Sequence, residues 1–174
     1  SLRIGPGLST ENEPDLGPLI TGDHKRKVKS YIESGVEQGA KLILDGRDDE
    51  SAKSSKGFFI GPTIFDFVKP TMNIYLEEIF GPVLSIMAYD DDNHAITIAN
   101  DTQFGLAAYV ESADHARAQA IARKIRAGMI HLNGAVADPS APFGGYKQSG
   151  NGREGGIWGL LEFLEVKTIT HWPK

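Results

Sequence analysis

Apolar residues recur along this chain first at helical and then at strand spacing. Between Asp23 and Gly39, Val28, Tyr31, Ile32 and Val36 share one face of a 3.6-residue repeat, with Lys, Glu and Ser opposite, and Gly39 stands where a helix would stop. Lys41-Leu42-Ile43-Leu44 reads as a short strand. Asp45 to Gly57 is rich in Asp, Ser, Lys and Gly without an apolar period, so an exposed, mobile loop is expected. From Phe58 to Asp66 the residues are aromatic and β-branched but broken by Gly61-Pro62, which predicts an irregular extended pair rather than one central strand. Val83 to Tyr89 is a nearly continuous apolar run, the mark of a strand buried on both faces. A helix carrying Ala95, Ile98 and Ala99 follows the acidic Asp90-Asp91-Asp92, then a strand from Leu106 to Val110. A second helix from Asp114 to Ala127, stopped by Gly128, bears Ala118, Ile121, Ala122 and Ile125, and a third strand runs from Met129 to Asn133.

Strand-helix-strand-helix-strand with short connections is the unit of a parallel sheet covered by helices, so the class is α/β, a three-layer αβα with a mainly parallel sheet. Ligands gather at the carboxyl ends of such strands, here near Tyr89, Val110 and Asn133. Beyond lie a Pro- and Gly-rich loop from Ala137 to Gly156, a short helix around Trp158 to Phe163, and a last strand from Val166 to Trp172. There is no internal repeat.

Composition narrows the function. With 174 residues, 40% hydrophobic and 24% charged, the chain has the balance of a folded domain rather than of a disordered segment. Its 18 basic residues are scattered among 23 acidic ones, a net charge of -5, which argues against a nucleic-acid surface. No apolar run approaches the roughly 20 residues of a spanning helix and no signal peptide is recognisable, so neither a membrane nor secretion is expected and a cytoplasmic location is the default. The chain has no cysteine, hence no disulfide, thiolate metal site or cysteine nucleophile of its own. Its five histidines are widely separated, and no metal site is expected.

Two segments can carry chemistry. In Glu77-Glu78-Ile79-Phe80-Gly81-Pro82 a carboxylate can accept from two neighbouring hydroxyls, as a ribose presents them, and an aromatic two residues on can pack against a flat ring. A solvated acidic pair before a core phenylalanine is the simpler alternative. In Pro142-Phe143-Gly144-Gly145-Tyr146-Lys147-Gln148-Ser149-Gly150 the paired glycines permit close backbone approach and Phe143 can wall an apolar channel; the alternative is a surface loop with a buried anchor. Gly150-Asn151-Gly152-Arg153-Glu154-Gly155 matches the dinucleotide fingerprint G-x-G-x-x-G letter for letter but follows polar loop, so its glycines are assigned to turns. Asn100-Asp101-Thr102 is expected to end a helix.

In this order, and with Gly17-Pro18-Leu19, Gly61-Pro62-Thr63, Phe104-Gly105-Leu106-Ala107, Asn133-Gly134, Gly152-Arg153-Glu154 and Glu165-Val166-Lys167-Thr168, these blocks resemble the C-terminal portion of the aldehyde dehydrogenase superfamily over nearly the whole chain. The resemblance implies that residues 1–165 form the later part of a catalytic domain and 166–174 a strand running toward an oligomerisation arm. It implies that Glu78 hydrogen-bonds the nicotinamide ribose of NAD or NADP, that Phe80 contacts the nicotinamide ring, and that Phe143 walls the aldehyde tunnel. Asn133 would lie near the substrate mouth, with Arg153 and Glu165 tying these regions to a subunit interface through charge-assisted contacts. Ala137 stands where family members often carry an aromatic, which implies a tunnel that is wider or lined by other groups. The implied chemistry is thiolate attack on an aldehyde, hydride transfer to the nicotinamide and thioester hydrolysis. The cysteine nucleophile, general base and main dinucleotide-binding segment would precede this chain, which opens on Ser1 rather than methionine, as a fragment does. Its partners would be the remainder of its own polypeptide, a small aldehyde and further copies in a homodimer or homotetramer. Alone it would oxidise no aldehyde and would expose apolar surface. The alternative is a nucleophile-free binding or oligomerisation module of the same fold.

Overall fold

The computed structural model describes residues 2–6, 14–54, 56–136 and 138–171. The chain divides into two units, Ser1–Ala88 and Tyr89–Lys174.

The first unit is built on helix α1 (Gly22–Glu37), whose N-cap Thr21 accepts a hydrogen bond from the His24 N–H at 3.1 Å. Its inward face is Val28, Tyr31, Ile32 and Gly35; Val36, expected on that face, is largely exposed. Strand β1 (Lys41–Leu44) follows where its alternation predicts. The polar stretch after it is more ordered than its composition suggests. Asp49 Oδ1 accepts from the Ala52 N–H at 3.1 Å, opening helix α2 (Glu50–Ser54), and Ala52 is buried. Strand β2 (Thr63–Asp66) is central, not half of an irregular pair: Gly61-Pro62 interrupts the chain just before it, leaving every residue from Thr63 free to pair. It runs antiparallel to β1 and parallel to β3 (Val83–Ser85), giving the order β1-β2-β3. A short helix α3 (Asn73–Leu76) lies between β2 and β3. The core joins Val28 and Ile32 of α1 to Phe65 of β2 and to Met72, Ile74 and Ile79. Each such side chain contributes on the order of 1.5–3 kcal/mol by leaving water.

In the second unit, α4 (Asp92–Asn100) is capped by Asp91, which accepts from the His94 N–H at 2.8 Å, and Asn100 ends it as predicted. Strands β4 (Ala107–Val110) and β5 (Met129–Leu132) pair in parallel across α5 (His115–Ala122), the crossover that parallel neighbours require. Helix α5 stops at Ala122, earlier than the expected Ala127. Gly128 serves another purpose than stopping it: a Cβ there would stand 1.7 Å from the Gly144 carbonyl oxygen, so the paired glycines do bring the backbone hard against β5. A 3-10 turn (Lys147–Ser149) and helix α6 (Gly156–Leu161) complete the unit. Gly150 and Gly155 take left-handed backbone, as turn glycines do.

The class is α/β, with parallel pairing in both units. Three further expectations are corrected. The described strands form two sheets, β1-β2-β3 and β4-β5, rather than one sheet through the three C-terminal strands. The apolar run from Val83 is paired for three residues only, and Leu84, Ile86 and Tyr89 are largely exposed rather than buried on both faces. Residues 166–171 form no strand: a strand needs a ladder partner, none pairs with them among the described residues, and Val166 is 96% exposed. Trp172, where that strand was expected to end, lies outside the described residues. Among the described residues no helix is long and apolar enough to cross a membrane.

Candidate functional site

The Glu77–Pro82 segment is a short loop fixed at three points. Ile79 enters the core at 8% exposure, the Pro82 carbonyl accepts from the Thr63 N–H at 2.8 Å, and Gly81 lies flat on α1, where a Cβ would come within 2.7 Å of Val28 Cγ2. What is not fixed inward is turned outward. Phe80 adopts φ +59° and exposes 74% of its surface. Left-handed backbone under a bulky residue costs on the order of 1–3 kcal/mol, and residues held so cluster at functional sites.

The acidic pair divides its work. Tyr31 of α1 donates its hydroxyl to Glu77 Oε2 at 2.7 Å, and this hydrogen bond to a carboxylate, with burial, pushes the phenol above its ordinary value. Glu77 therefore secures the loop. Glu78, which makes no such bond and like Glu77 is exposed, lines with Glu77, Phe80, Ile74, Val83 and Ser85 a concavity of about 390 Å³. A carboxylate and an aromatic two residues apart on one open concavity can hold a polyhydroxylated ring and a flat one side by side.

One neighbour of Phe80 was not anticipated. The imidazole of His24, on the first turn of α1, stands 6.5 Å from the Phe80 ring at a tilt of 52°, and its Nδ1 is buried without a hydrogen-bond partner. No sequence motif marks it, because the contact joins two elements far apart in the chain.

In the second unit Phe143 pairs with Glu154 through two N–H···O bonds of 2.7 Å, one in each direction. Arg153 closes this hairpin-like loop, donating Nη1–H to the Gly145 and Gly152 carbonyls at 2.9 and 2.8 Å, with its guanidinium 5.5 Å over the Tyr146 ring. Lys147 anchors it to the end of α4 through the Asn100 and Thr102 carbonyls at 2.8 and 2.9 Å, where a cation suits the negative end of the helix. Phe143, 51% exposed, stands between two concavities. One, of about 360 Å³, includes Leu106, Arg153 and Phe163; the other, about 350 Å³, includes Met129, His131 and Val136. Phe143 is therefore not a buried anchor.

β5 ends at Leu132, and Asn133 stands just past it with φ +50°; its amide is engaged within the fold: Oδ1 accepts from the Ser112 N–H at 2.8 Å and Nδ2 meets His115 Nδ1 at 3.2 Å. Glu165 is exposed in the extended segment after α6. Ala137, expected to leave a tunnel wider or lined by other groups, lies outside the described residues. Glu78 and Phe80 thus come together in the first unit, and Phe143 and Arg153 in the second.

A model of the aldehyde dehydrogenase family matches residues 1–169. The chain belongs to the aldehyde dehydrogenase family. It is 51% identical over 167 residues to 3-succinoylsemialdehyde-pyridine dehydrogenase of a Pseudomonas species, a match covering 96% of this chain and 35% of that protein. Among solved structures it resembles an aldehyde dehydrogenase of Bartonella henselae, with a TM-score of 0.89 and 40% identity over 98% of this chain and 35% of that one. A mutant of aldehyde dehydrogenase C from Pseudomonas syringae, complexed with NAD+ and octanal, matches at TM-score 0.86 and 42% identity over 95% of this chain and 33% of that one. The chain spans about a third of the length of the relatives it matches.

Proposed function

We propose that this chain forms the supporting wall of the active site in an NAD(P)-dependent aldehyde dehydrogenase, an oxidoreductase whose nucleophile is supplied by the rest of a longer polypeptide. The observation that carries this reading is the Glu77–Pro82 loop. It is held rigidly from behind by Tyr31, Ile79 and Gly81, and it turns Glu78 and Phe80 outward onto one concavity at the expense of left-handed backbone.

When bound, the nicotinamide supplies the hydride acceptor. Glu78, acceptor-only when ionised, takes hydrogen bonds from the two hydroxyls of the adjoining ribose. Phe80 covers one face of the nicotinamide, excludes water there and fixes its distance from the aldehyde, a contribution of proximity rather than of chemistry. Phe143 lines the apolar passage by which the aldehyde arrives. Asn133 and Arg153 act as supports for that passage, since each hydrogen-bonds backbone or a neighbouring side chain of its own unit. Glu165 and the exposed apolar residues of α6 and its tail face either the remaining polypeptide or a second copy in a homodimer or homotetramer, in a cytoplasmic protein. NAD+ and octanal in the Pseudomonas syringae relative support the ligand classes.

Steady-state kinetics of the whole polypeptide test the reading. Glu78→Gln and Phe80→Ala should each lower kcat/KM for NAD+ by about ten- to a hundred-fold, as expected for losing charge-assisted or ring contacts, while leaving KM for the aldehyde within two-fold. Wild-type values for NAD+ in both variants refute it.

A further inference from the structure

We infer that His24 is a positioning residue: its imidazole sets the angle of the Phe80 ring and so the seat of the nicotinamide, an inference that rests on the role proposed for Phe80. A phenylalanine that is 74% exposed in left-handed backbone has little to stop its ring from turning about χ1 and χ2. The backbone of the loop is fixed by Ile79 and Gly81, but backbone alone does not orient a ring. The aromatic group that meets it is His24, with centroids 6.5 Å apart and planes tilted by 52°, inside the separation at which aromatic pairs attract.

His24 is well placed to act as a stop. It belongs to the first turn of α1, and the Thr21 hydroxyl fixes its backbone by accepting its N–H at 3.1 Å. The same helix carries Val28, on which Gly81 rests, so the loop backbone and the Phe80 ring are both referenced to one rigid element. The imidazole also departs from the usual rule for polar groups: its Nδ1 is buried and lacks a partner. Folded proteins satisfy nearly all such atoms, and an exception calls for a reason. An imidazole whose Nδ1 is out of solvent is held by the surrounding protein rather than free in water, and so can serve as a stop for the ring beside it.

The test is binding of NAD+ and of ADP-ribose, which lacks the nicotinamide, to the whole polypeptide by calorimetry. His24→Leu keeps apolar bulk without an aromatic ring and should weaken NAD+ on the order of two- to ten-fold relative to ADP-ribose, the equivalent of one aromatic pair. His24→Phe should restore the ratio. In the His24→Leu/Phe80→Ala double variant the ratio should fall no further than in Phe80→Ala. The inference is overturned if His24→Leu keeps the wild-type ratio, if it weakens both ligands equally, or if His24→Phe is as impaired as His24→Leu. Should His24→Leu not fold, His24→Gln removes the ring and carries the same test. A Phe80→Ala variant with an unchanged ratio removes the cofactor role of Phe80 itself, and the His24 inference with it. An altered ratio in Phe80→Ala beside a wild-type ratio in His24→Leu removes the His24 inference alone.

Discussion

Gly81→Ala isolates the contact that holds the candidate cofactor loop. Gly81 does not use left-handed backbone, so alanine there brings no conformational penalty and adds a single methyl group. That methyl would lie 2.7 and 2.8 Å from the two Cγ atoms of Val28, against the 3.4 Å at which ordinary contact begins, so the loop and α1 must part by about 0.7 Å. Val28 cannot yield easily: it is fully buried, and a β-branched side chain in a helix has one strongly preferred rotamer. Overpacking of this kind costs about 1–3 kcal/mol. Because Phe80 is the next residue, the displacement reaches the site, and misplacement on the order of 1 Å can cost a hundred-fold in rate. In the whole polypeptide Gly81→Ala should therefore lower the melting temperature and reduce kcat/KM for NAD+ by about ten-fold or more. Val28→Ala/Gly81→Ala should recover part of both losses, since the two positions share one space. Strict additivity of the two substitutions, or wild-type kinetics in Gly81→Ala, refutes the proposed support.

Two further outcomes check other parts of the structure. Tyr31→Phe removes the bond to Glu77 and should cost about 1–2 kcal/mol at neutral pH. The folded state holds the Tyr31 proton more tightly than the unfolded chain does. The contribution is therefore complete below the unfolded value of about 10 and vanishes as pH climbs through the raised folded value. Thermal melts of the two proteins should converge in that alkaline range, and a constant gap contradicts the assignment. Asn133→Ala should destabilise by about 1–2 kcal/mol through loss of its bonds to Ser112 and His115, with KM for the aldehyde unmoved; a large rise in that KM without loss of stability makes Asn133 a substrate contact instead.

The elements legible in the sequence are those whose period is strong and whose ends carry punctuation. Helix α1 has its apolar stripe and Gly39, β1 its four residues after that glycine, and α4 its acidic cap at Asp91. Strand β2 was obscured because Gly61-Pro62 looks like an interruption of a strand when it in fact precedes one. Helix α2 has no apolar stripe to announce it, only Ala52 underneath and the Asp49 cap. The partner of β3 could not be read from local pattern, since pairing with β2 rather than with a later strand is settled by packing on α1 and not by the residues of β3 themselves. At the site, Glu78, Phe80 and Phe143 were recognisable from motif, and each is exposed on a concavity. Which carboxylate of the pair bonds Tyr31, that His24 meets Phe80, and that the Asn133 amide bonds Ser112 and His115 are facts of tertiary contact. No spacing within one segment encodes them.

A crystal structure of the whole polypeptide with NAD+ bound tests the placement of Glu78 and Phe80 beside the nicotinamide. A Glu78 carboxylate oxygen should lie about 3 Å from a hydroxyl of the nicotinamide ribose, with the Phe80 ring packed against the nicotinamide. A bound cofactor that leaves Glu78 and Phe80 in solvent contradicts it.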